Sequence, residues 1–293
     1  MSGLSLIMLG VLAVIVLAVI FFGLITKKEQ TDSGFGHWSP QDGISEEDEI
    51  LKMIKQDRFY QVFQPFVDAK TERIVGCEAL TRLHGGQEKE GAMPSAFMEN
   101  VKNEEICDRF DMHVLKKCCT WMHKKDVTVT VSCNFLRRTL SKADAADRIV
   151  RTAEEAGVLP QQIAIEVTED AVRDGHAAMA EHIAALKEAG FLIYLDDFGK
   201  AYTSLEDLTR FRPDVIKLDK NLLQSTEREQ GLALFSQTVK LAKGMGAAVL
   251  CEGVENQKQA EIAKAAGCDM LQGFYYYFPM EAEKMEDLLR DLQ

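Results

Sequence analysis

Carboxylate, amide and lysine side chains recur at the ends of short apolar segments of this chain. The most prominent case is Leu192–Gly199, an apolar run that ends in Asp196, Asp197, a phenylalanine and a glycine. Neighbouring residues of a regular strand point to opposite faces, so both carboxylates can serve one site only if the chain bends between them, and Gly199 makes such a bend cheap. Because adjacent carboxylates repel unless a cation lies between them, the pair predicts a divalent ion. The alternative is an Asp-Asp-x-Gly turn that caps the next helix.

Other apolar segments end in the same way. Their C-terminal ends carry Glu78, Asn134, Glu166, Lys217 with Asp219, Glu252 and Gln272. Strand periodicity places these polar residues on the face opposite the apolar ones, as where Glu166 alternates with Ile165 and Val167. We therefore expect the polar side chains to meet at one end of a sheet while the apolar faces pack against helices.

The residue types at these ends indicate the chemistry. Carboxylate and amide oxygens suit Mg²⁺ or Mn²⁺ rather than zinc. A histidine-zinc site is not expected, because none of the six histidines falls at a strand end. Metal ligands together with a lysine, and without an obvious Ser/His/Asp triad, favour phosphoester chemistry with an activated water.

Apolar runs and amphipathic helical stretches alternate after the first fifty residues. The predicted strands are 60–67, 74–80, 127–134, 163–167, 192–196, 215–218, 247–252 and 270–273. The predicted helices include 104–123, 143–156, 176–189, 229–243, 257–266 and 281–292. Repeated strand-helix units of this size favour a parallel α/β barrel, with an open doubly wound sheet as the alternative. A Rossmann fold is disfavoured because no glycine-rich phosphate fingerprint follows the early strands.

Composition limits the class of protein and its partners. The chain has 293 residues, of which 46% are hydrophobic and 27% charged, as in an ordinary globular protein. The net charge of -12 argues against DNA or RNA polymers as partners, since phosphate backbones need clustered Lys and Arg. The seven cysteines are scattered and include no C-x-x-C pair, which indicates reduced thiols in the cytoplasm.

The N-terminal residues predict a membrane anchor. Leu4–Ile25 carries no charge and is long enough to cross about 30 Å of hydrocarbon. A cleaved signal peptide is the alternative, but no basic region precedes the run and no small-x-small site follows it. Lys27 and Lys28 come directly after the run, so the positive-inside rule places the rest of the chain in the cytoplasm. We divide the chain into a transmembrane anchor (1–28), a juxtamembrane linker (29–44) and a domain (45–293) that opens with a helix capped by Ser45.

The segment Cys77–Arg82, with the sequence C-E-A-L-T-R, resembles the signature of the EAL-domain cyclic-di-GMP phosphodiesterases. Further motifs of that family follow in order around it: Gln64-Pro65, Asn134, Glu166 to Glu169, Asp196 to Gly199, Lys217 to Asp219, Glu252 to Glu255 and Gln272-Gly273. The resemblance covers about residues 48 to 293. It implies a (β/α)8 TIM-like barrel whose first strand runs antiparallel to the others, usually as a homodimer.

The resemblance also assigns residue roles. Glu78, Asn134, Glu166 and Asp196 hold one Mg²⁺ or Mn²⁺, and Asp196, Asp197 and Glu252 hold a second, while Ca²⁺ is expected to inhibit. A water between the ions attacks phosphorus and cuts cyclic-di-GMP to linear pGpG, with Lys217 steadying the water or the developing charge and Glu252 as a candidate general base. Gln64 and Arg82 contact the substrate, Gln272 supports the water, and Glu169 anchors the loop after Asp197. The implied location is the cytoplasmic face of a bacterial inner membrane, with the chain crossing once.

One loop departs from the family pattern. The family continues D-D-F-G with Thr-Gly-Tyr-Ser-Ser, whereas this chain has Lys200, Ala201 and then Tyr-Thr-Ser. Replacing the second glycine removes easy access to positive φ, and Lys200 adds a charge. Loop geometry, dimer coupling and second-metal affinity are therefore in question. The alternative function is a catalytically silent EAL domain that binds cyclic-di-GMP or docks a partner, and a third is a barrel that acts on another phosphodiester.

Overall fold

The computed structural model describes residues 46–84, 98, 101–173, 177–200 and 205–291. Its strands are β1 (Phe59–Asp68), β2 (Ile74–Leu83), β3 (Thr130–Asn134), β4 (Ile163–Thr168), β5 (Leu192–Phe198), β6 (Val215–Leu218), β7 (Ala248–Cys251), β8 (Met270–Gln272) and β9 (Met280–Glu281). Its α-helices are α1 (Glu46–Lys55), α2 (Glu104–Lys124), α3 (Arg137–Leu140), α4 (Ala145–Ala156), α5 (Glu169–Arg173), α6 (Ala177–Glu188), α7 (Leu205–Phe211), α8 (Lys220–Gln224), α9 (Glu229–Gly244), α10 (Gln257–Ala266) and α11 (Ala282–Arg290).

Several sequence predictions fall outside these residues. They are the transmembrane segment Leu4–Ile25, the linker 29–44, the helix cap Ser45 and the loop residue Ala201. Within the described part of the chain, no helix combines the length and the apolar character that a membrane crossing needs.

Strands β1 to β8 close into a barrel. Strands β2 to β8 are parallel and lie in chain order, and β1 pairs antiparallel with both β2 and β8. The hairpin between β1 and β2 explains this direction: Asp68 accepts hydrogen bonds from the backbone N–H groups of Lys70 and Thr71, and a connection this short can join only antiparallel strands. The structure confirms the predicted barrel with an antiparallel first strand, and the open sheet is excluded.

The strand faces pack as the periodicity predicts. Outward residues such as Val131, Ile165 and Ile216 are buried in the main core between the strands and the surrounding helices. A separate inward cluster fills the barrel: Phe66, Ala164, Tyr194, Val215 and Leu250. The interior is therefore a packed apolar floor, and the polar strand ends lie above it at the barrel mouth, the C-terminal end of the parallel strands.

Several predicted boundaries differ from those in the structure, and backbone pairing explains two of the differences. Strand β3 begins at Thr130 rather than at residue 127, because the N–H of Val127 donates to Met122 O at 3.0 Å and closes the end of α2. Helix α11 begins at Ala282 rather than at residue 281, because Glu281 pairs with Val62 of β1 as part of β9. The sequence does not predict the short helices α3, α5, α7 and α8, because each is shorter than two turns.

Candidate metal centre at the barrel mouth

Lys217 lies at the centre of an acidic cluster at the barrel mouth. Its side chain projects inward from β6 and is only 1% exposed. Four carboxylate oxygens surround its ammonium nitrogen at 2.9 to 3.3 Å, and they belong to Glu78, Glu166, Asp196 and Glu252. Each comes from a different strand or its end, so one buried cation connects four parts of the barrel.

Two amides fix the orientation of Glu78. Asn134 Nδ2 donates to Glu78 Oε1 at 3.1 Å, and Gln272 Nε2 donates to Glu78 Oε2 at 3.0 Å. Strand register brings these side chains together. Glu78 of β2 pairs with Ser132 of β3, two residues before Asn134, and Asn134 pairs with Glu166 of β4. The structure thus brings Glu78, Asn134 and Glu166 together as the sequence predicts.

The chain bends between Asp196 and Asp197. Asp197 has a φ of 59°, a left-handed conformation uncommon for a residue with a side chain. The pairing of β5 with β6 shifts register between Leu195 and Phe198, which is a bulge. Ligand oxygens of Asp196, Asp197 and Glu252 consequently lie within 4.8 Å of one another. The predicted bend is present, but Asp197 itself adopts the unusual backbone conformation as well as Gly199.

The turn after Asp197 is held from two sides. Gly199 has a φ of 99°, and its N–H donates to Glu169 Oε2 at 3.2 Å, as expected for an anchoring residue. The N–H of Asp219 donates to Phe198 O at 3.3 Å. Lys200 Nζ donates to Asp197 Oδ2 at 3.1 Å, a contact that sequence reasoning missed.

Burial and crowded charge shift the pKa values of the cluster. Burial raises the pKa of Glu252 to about 8, with Lys217 opposing the shift and neighbouring carboxylates adding to it. Burial likewise raises the pKa of Glu166 well above its usual range. Burial works against the charged form of Lys217, but the surrounding carboxylates outweigh it and raise the pKa of the ammonium. Lys217 therefore stays protonated, and Glu166 and Glu252 hold protons more tightly than usual when no other cation is near.

The donor set fits hard divalent cations. The ligand atoms are carboxylate and amide oxygens, as Mg²⁺ and Mn²⁺ prefer. Glu166 Oε1 and Gln272 Oε1 are buried and accept no hydrogen bond from the residues that the structure describes. Two lysines, Lys200 and Lys217, lie beside the carboxylates of the centre. If all five carboxylates ionise, three negative charges remain uncompensated. The five are Glu78, Glu166, Asp196, Asp197 and Glu252. An added cation would satisfy both the free oxygens and the surplus charge.

The predicted substrate residues lie around this centre. Gln64 projects from β1, where its Nε2 donates to Tyr277 O at 3.1 Å. Arg82 is four residues beyond Glu78 on β2, so it shares the inward face and lies about 13 Å further along the strand. Half-buried, Arg82 has a pKa lowered by burial, and its Nη1 donates to Thr81 O at 2.9 Å.

Two acidic residues support the centre from outside it, and sequence reasoning missed one of them, Asp111. The buried Asp111 of α2 accepts a hydrogen bond from the N–H of Leu136 at 2.9 Å and so fixes the segment that follows Asn134. Asp219 accepts from the N–H of Asn221 at 2.8 Å and caps α8. The sequence singles out Asp219 by its position after a strand, whereas Asp111 looks like any acid of an amphipathic helix.

Comparison with known proteins agrees with this geometry. The family model for the EAL domain matches residues 47–279. The cyclic di-GMP phosphodiesterase NbdA of Pseudomonas aeruginosa is 25% identical over 250 residues, which are 83% of this chain and 32% of that protein. The chain spans about a third of the length of the curated relatives it matches.

Solved structures share the fold. The EAL enzyme Bd1971, bound to cAMP and cyclic-di-GMP, superposes with a TM-score of 0.78 at 23% identity, covering 94% of this chain and 76% of that one. Klebsiella pneumoniae BlrP1, in a manganese and cyclic-di-GMP complex, superposes with a TM-score of 0.68 at 27% identity, covering 76% of this chain and 56% of that one. With its barrel, its ordered motifs and a family match over most of its length, this chain belongs to the EAL domain family.

Proposed function

We propose that the protein is a metal-dependent phosphodiesterase that hydrolyses cyclic-di-GMP to linear pGpG. The observation that carries the proposal is the complete acidic cluster around Lys217, with Asp196, Asp197 and Glu252 gathered within 4.8 Å. A protein that only bound a nucleotide would not need every one of these ligands. NbdA, which is similar over most of this chain, is named as a phosphodiesterase of the same compound.

The residues of the chain divide the work. Glu78, Asn134, Glu166 and Asp196 would hold one Mg²⁺ or Mn²⁺, and Asp196, Asp197 and Glu252 a second. When bound, the two ions supply an activated water and neutralise phosphate charge. Lys217 holds the carboxylates in place and offers a fixed positive charge to the developing charge on phosphorus. Glu252, which lies beside Asp196 and Asp197, is the candidate general base that would take the proton of the water.

Gln64, Arg82 and Gln272 orient the substrate and the water. The guanidinium of Arg82 can bind a phosphate with two parallel hydrogen bonds, and its place along β2 keeps it clear of the metal ligands. Gln272 already holds Glu78, and its free Oε1 can accept a hydrogen bond from a water. We expect Ca²⁺ to inhibit, because its larger and looser coordination shell would alter the placement of that water.

The location and assembly are part of the same proposal. The uncharged run Leu4–Ile25 followed by Lys27 and Lys28 supports a single crossing of a bacterial inner membrane with the barrel in the cytoplasm. Homodimerisation follows from the family resemblance alone.

One observation favours the alternative, a silent EAL domain that binds cyclic-di-GMP or docks a partner without cutting it. Lys200 Nζ donates to Asp197 Oδ2, where the second ion would bind. An ammonium at that oxygen weakens the site on which hydrolysis depends.

Turnover and binding separate the two functions. The full chain, purified in detergent, is incubated with cyclic-di-GMP and Mg²⁺ or Mn²⁺, and pGpG is followed by chromatography. Binding of cyclic-di-GMP is measured in parallel in Ca²⁺. We expect metal-dependent pGpG; binding without turnover in either activating metal would establish the receptor. A panel of other cyclic and linear dinucleotides tests for a different phosphodiester.

A further inference from the structure

Lys200 lies beside the proposed second ion. The backbone N–H of Lys200 donates to Asp197 O at 3.1 Å, which closes a four-residue turn with Gly199 in the left-handed region at its third position. This turn carries the Lys200 side chain back over Asp197, where Nζ lies 3.1 Å from Oδ2. The contact therefore follows from the local fold of the D-D-F-G segment.

Lys200 and Lys217 differ in how firmly they are held. The side chain of Lys217 is 1% exposed and contacts four carboxylates, whereas that of Lys200 is 58% exposed and forms its ion pair with Asp197, itself 33% exposed. Exposed ion pairs contribute little stability, because water screens them and the long side chain loses entropy. Lys200 can thus leave Asp197 at small cost, while Lys217 is a permanent part of the centre.

We infer that Lys200 competes with a divalent cation for Asp197 and weakens binding of the second ion selectively. This inference rests on the two-ion site of the proposed function. The first ion, which Glu78, Asn134, Glu166 and Asp196 would hold, lies next to Lys217, and its affinity changes little when Lys200 is replaced. Lys200 thus raises the concentration of divalent cation at which the second site of the protein fills.

Coulomb's law gives the size of the effect. A unit charge about 5 Å from a divalent ion in a water-like dielectric lowers its affinity on the order of tenfold. Retreat of the side chain into solvent and screening by salt reduce the factor to several-fold. The effect is therefore tuning of affinity and does not amount to blockage of the site.

The test is a Mn²⁺ titration of the full chain in detergent, without nucleotide, with free Mn²⁺ read by electron paramagnetic resonance. Wild type is compared with Lys200→Met, which keeps the length without the charge, and with Lys200→Arg, which keeps the charge. Lys243→Met is the matched control, because Lys243 forms a similar exposed pair with Asp269, at 2.7 Å and 44% exposure, away from the barrel mouth.

We expect Lys200→Met to bind the weaker ion several-fold to tenfold more tightly, with the tighter ion unchanged and Lys200→Arg and Lys243→Met like wild type. The inference is overturned if Lys200→Met leaves the weaker constant within twofold, if Lys243→Met shifts it equally, or if no second ion binds to either protein. Assay of pGpG on the same samples separates the two proposals. Turnover with unshifted metal binding refutes only the role of Lys200, and shifted binding without turnover refutes only the phosphodiesterase.

Discussion

Replacing Lys217 by methionine should destabilise the metal-free protein. The substitution keeps most of the side-chain volume but removes a buried ammonium that contacts four carboxylates within 3.3 Å. Removing one partner of a buried ion pair costs about 3–5 kcal/mol. Glu252 and Glu166 already bind protons more tightly than usual, so at low pH their protonation can neutralise part of the negative charge that the loss of Lys217 leaves unpaired. We expect the cost to reach about 3–5 kcal/mol at pH 8.5 and to be smaller at pH 6.

Urea denaturation in excess chelator, followed by circular dichroism at the two pH values, measures this cost. For a domain of this size, such a loss corresponds to a melting temperature lower by about 6–20 °C. Lys187→Met is the matched control, since Lys187 pairs with Asp214 at 2.7 Å but is 29% exposed, and we expect it to cost about 1 kcal/mol or less. Equal stability of Lys217→Met and wild type at pH 8.5, or equal losses in Lys217→Met and Lys187→Met, would refute the central role of this cation.

Three further outcomes are expected. Glu78→Ala should abolish pGpG formation by removing a metal ligand, with near wild-type turnover in a folded variant counting against the proposed site. In chelator, the wild-type free energy of unfolding should fall as pH rises from about 5 to 8, because the folded state keeps the Glu252 proton after the unfolded state has lost it. Glu252→Gln should make this free energy depend less on pH. A free energy of unfolding that rises with pH in the wild type would contradict the raised pKa of Glu252. Gly76→Ala should lower the free energy of unfolding by about 1–3 kcal/mol in urea denaturation, since the added Cβ would lie 2.2 Å from the ring of Phe66 on the paired strand. An unchanged denaturation midpoint would show that the apolar floor of the barrel is loosely packed.

Periodicity predicted the parts of this molecule that depend on a side chain alternating between two environments. Inward residues at the strand ends are polar and outward residues are apolar, so the alternation alone assigns Glu166 and Lys217 to one face. The antiparallel direction of β1 is different, because it depends on a hairpin that periodicity does not report. That feature came only from the family resemblance.

The local geometry at Asp197 could not be predicted from the sequence either. Two adjacent acids and a glycine allow a bend, but they do not say which residue adopts positive φ. The bulge depends on how β5 pairs with β6, and that pairing is a property of the closed barrel. The contact between Lys200 and Asp197 likewise needs the turn in place. Spacing along the chain indicated only that the two residues are three positions apart.

The arrangement of charges explains how an acidic centre can form before any metal binds. Five carboxylates at one barrel mouth would repel one another strongly, and the buried ammonium of Lys217 in β6 offsets part of this repulsion. Lys217 neutralises charge from four separate positions and so favours closure of the barrel. It does not satisfy every oxygen, since Glu166 Oε1 and Gln272 Oε1 accept no hydrogen bond from the described residues. Divalent ions would therefore enter a site that is already assembled, and their removal should cost activity before it costs the fold.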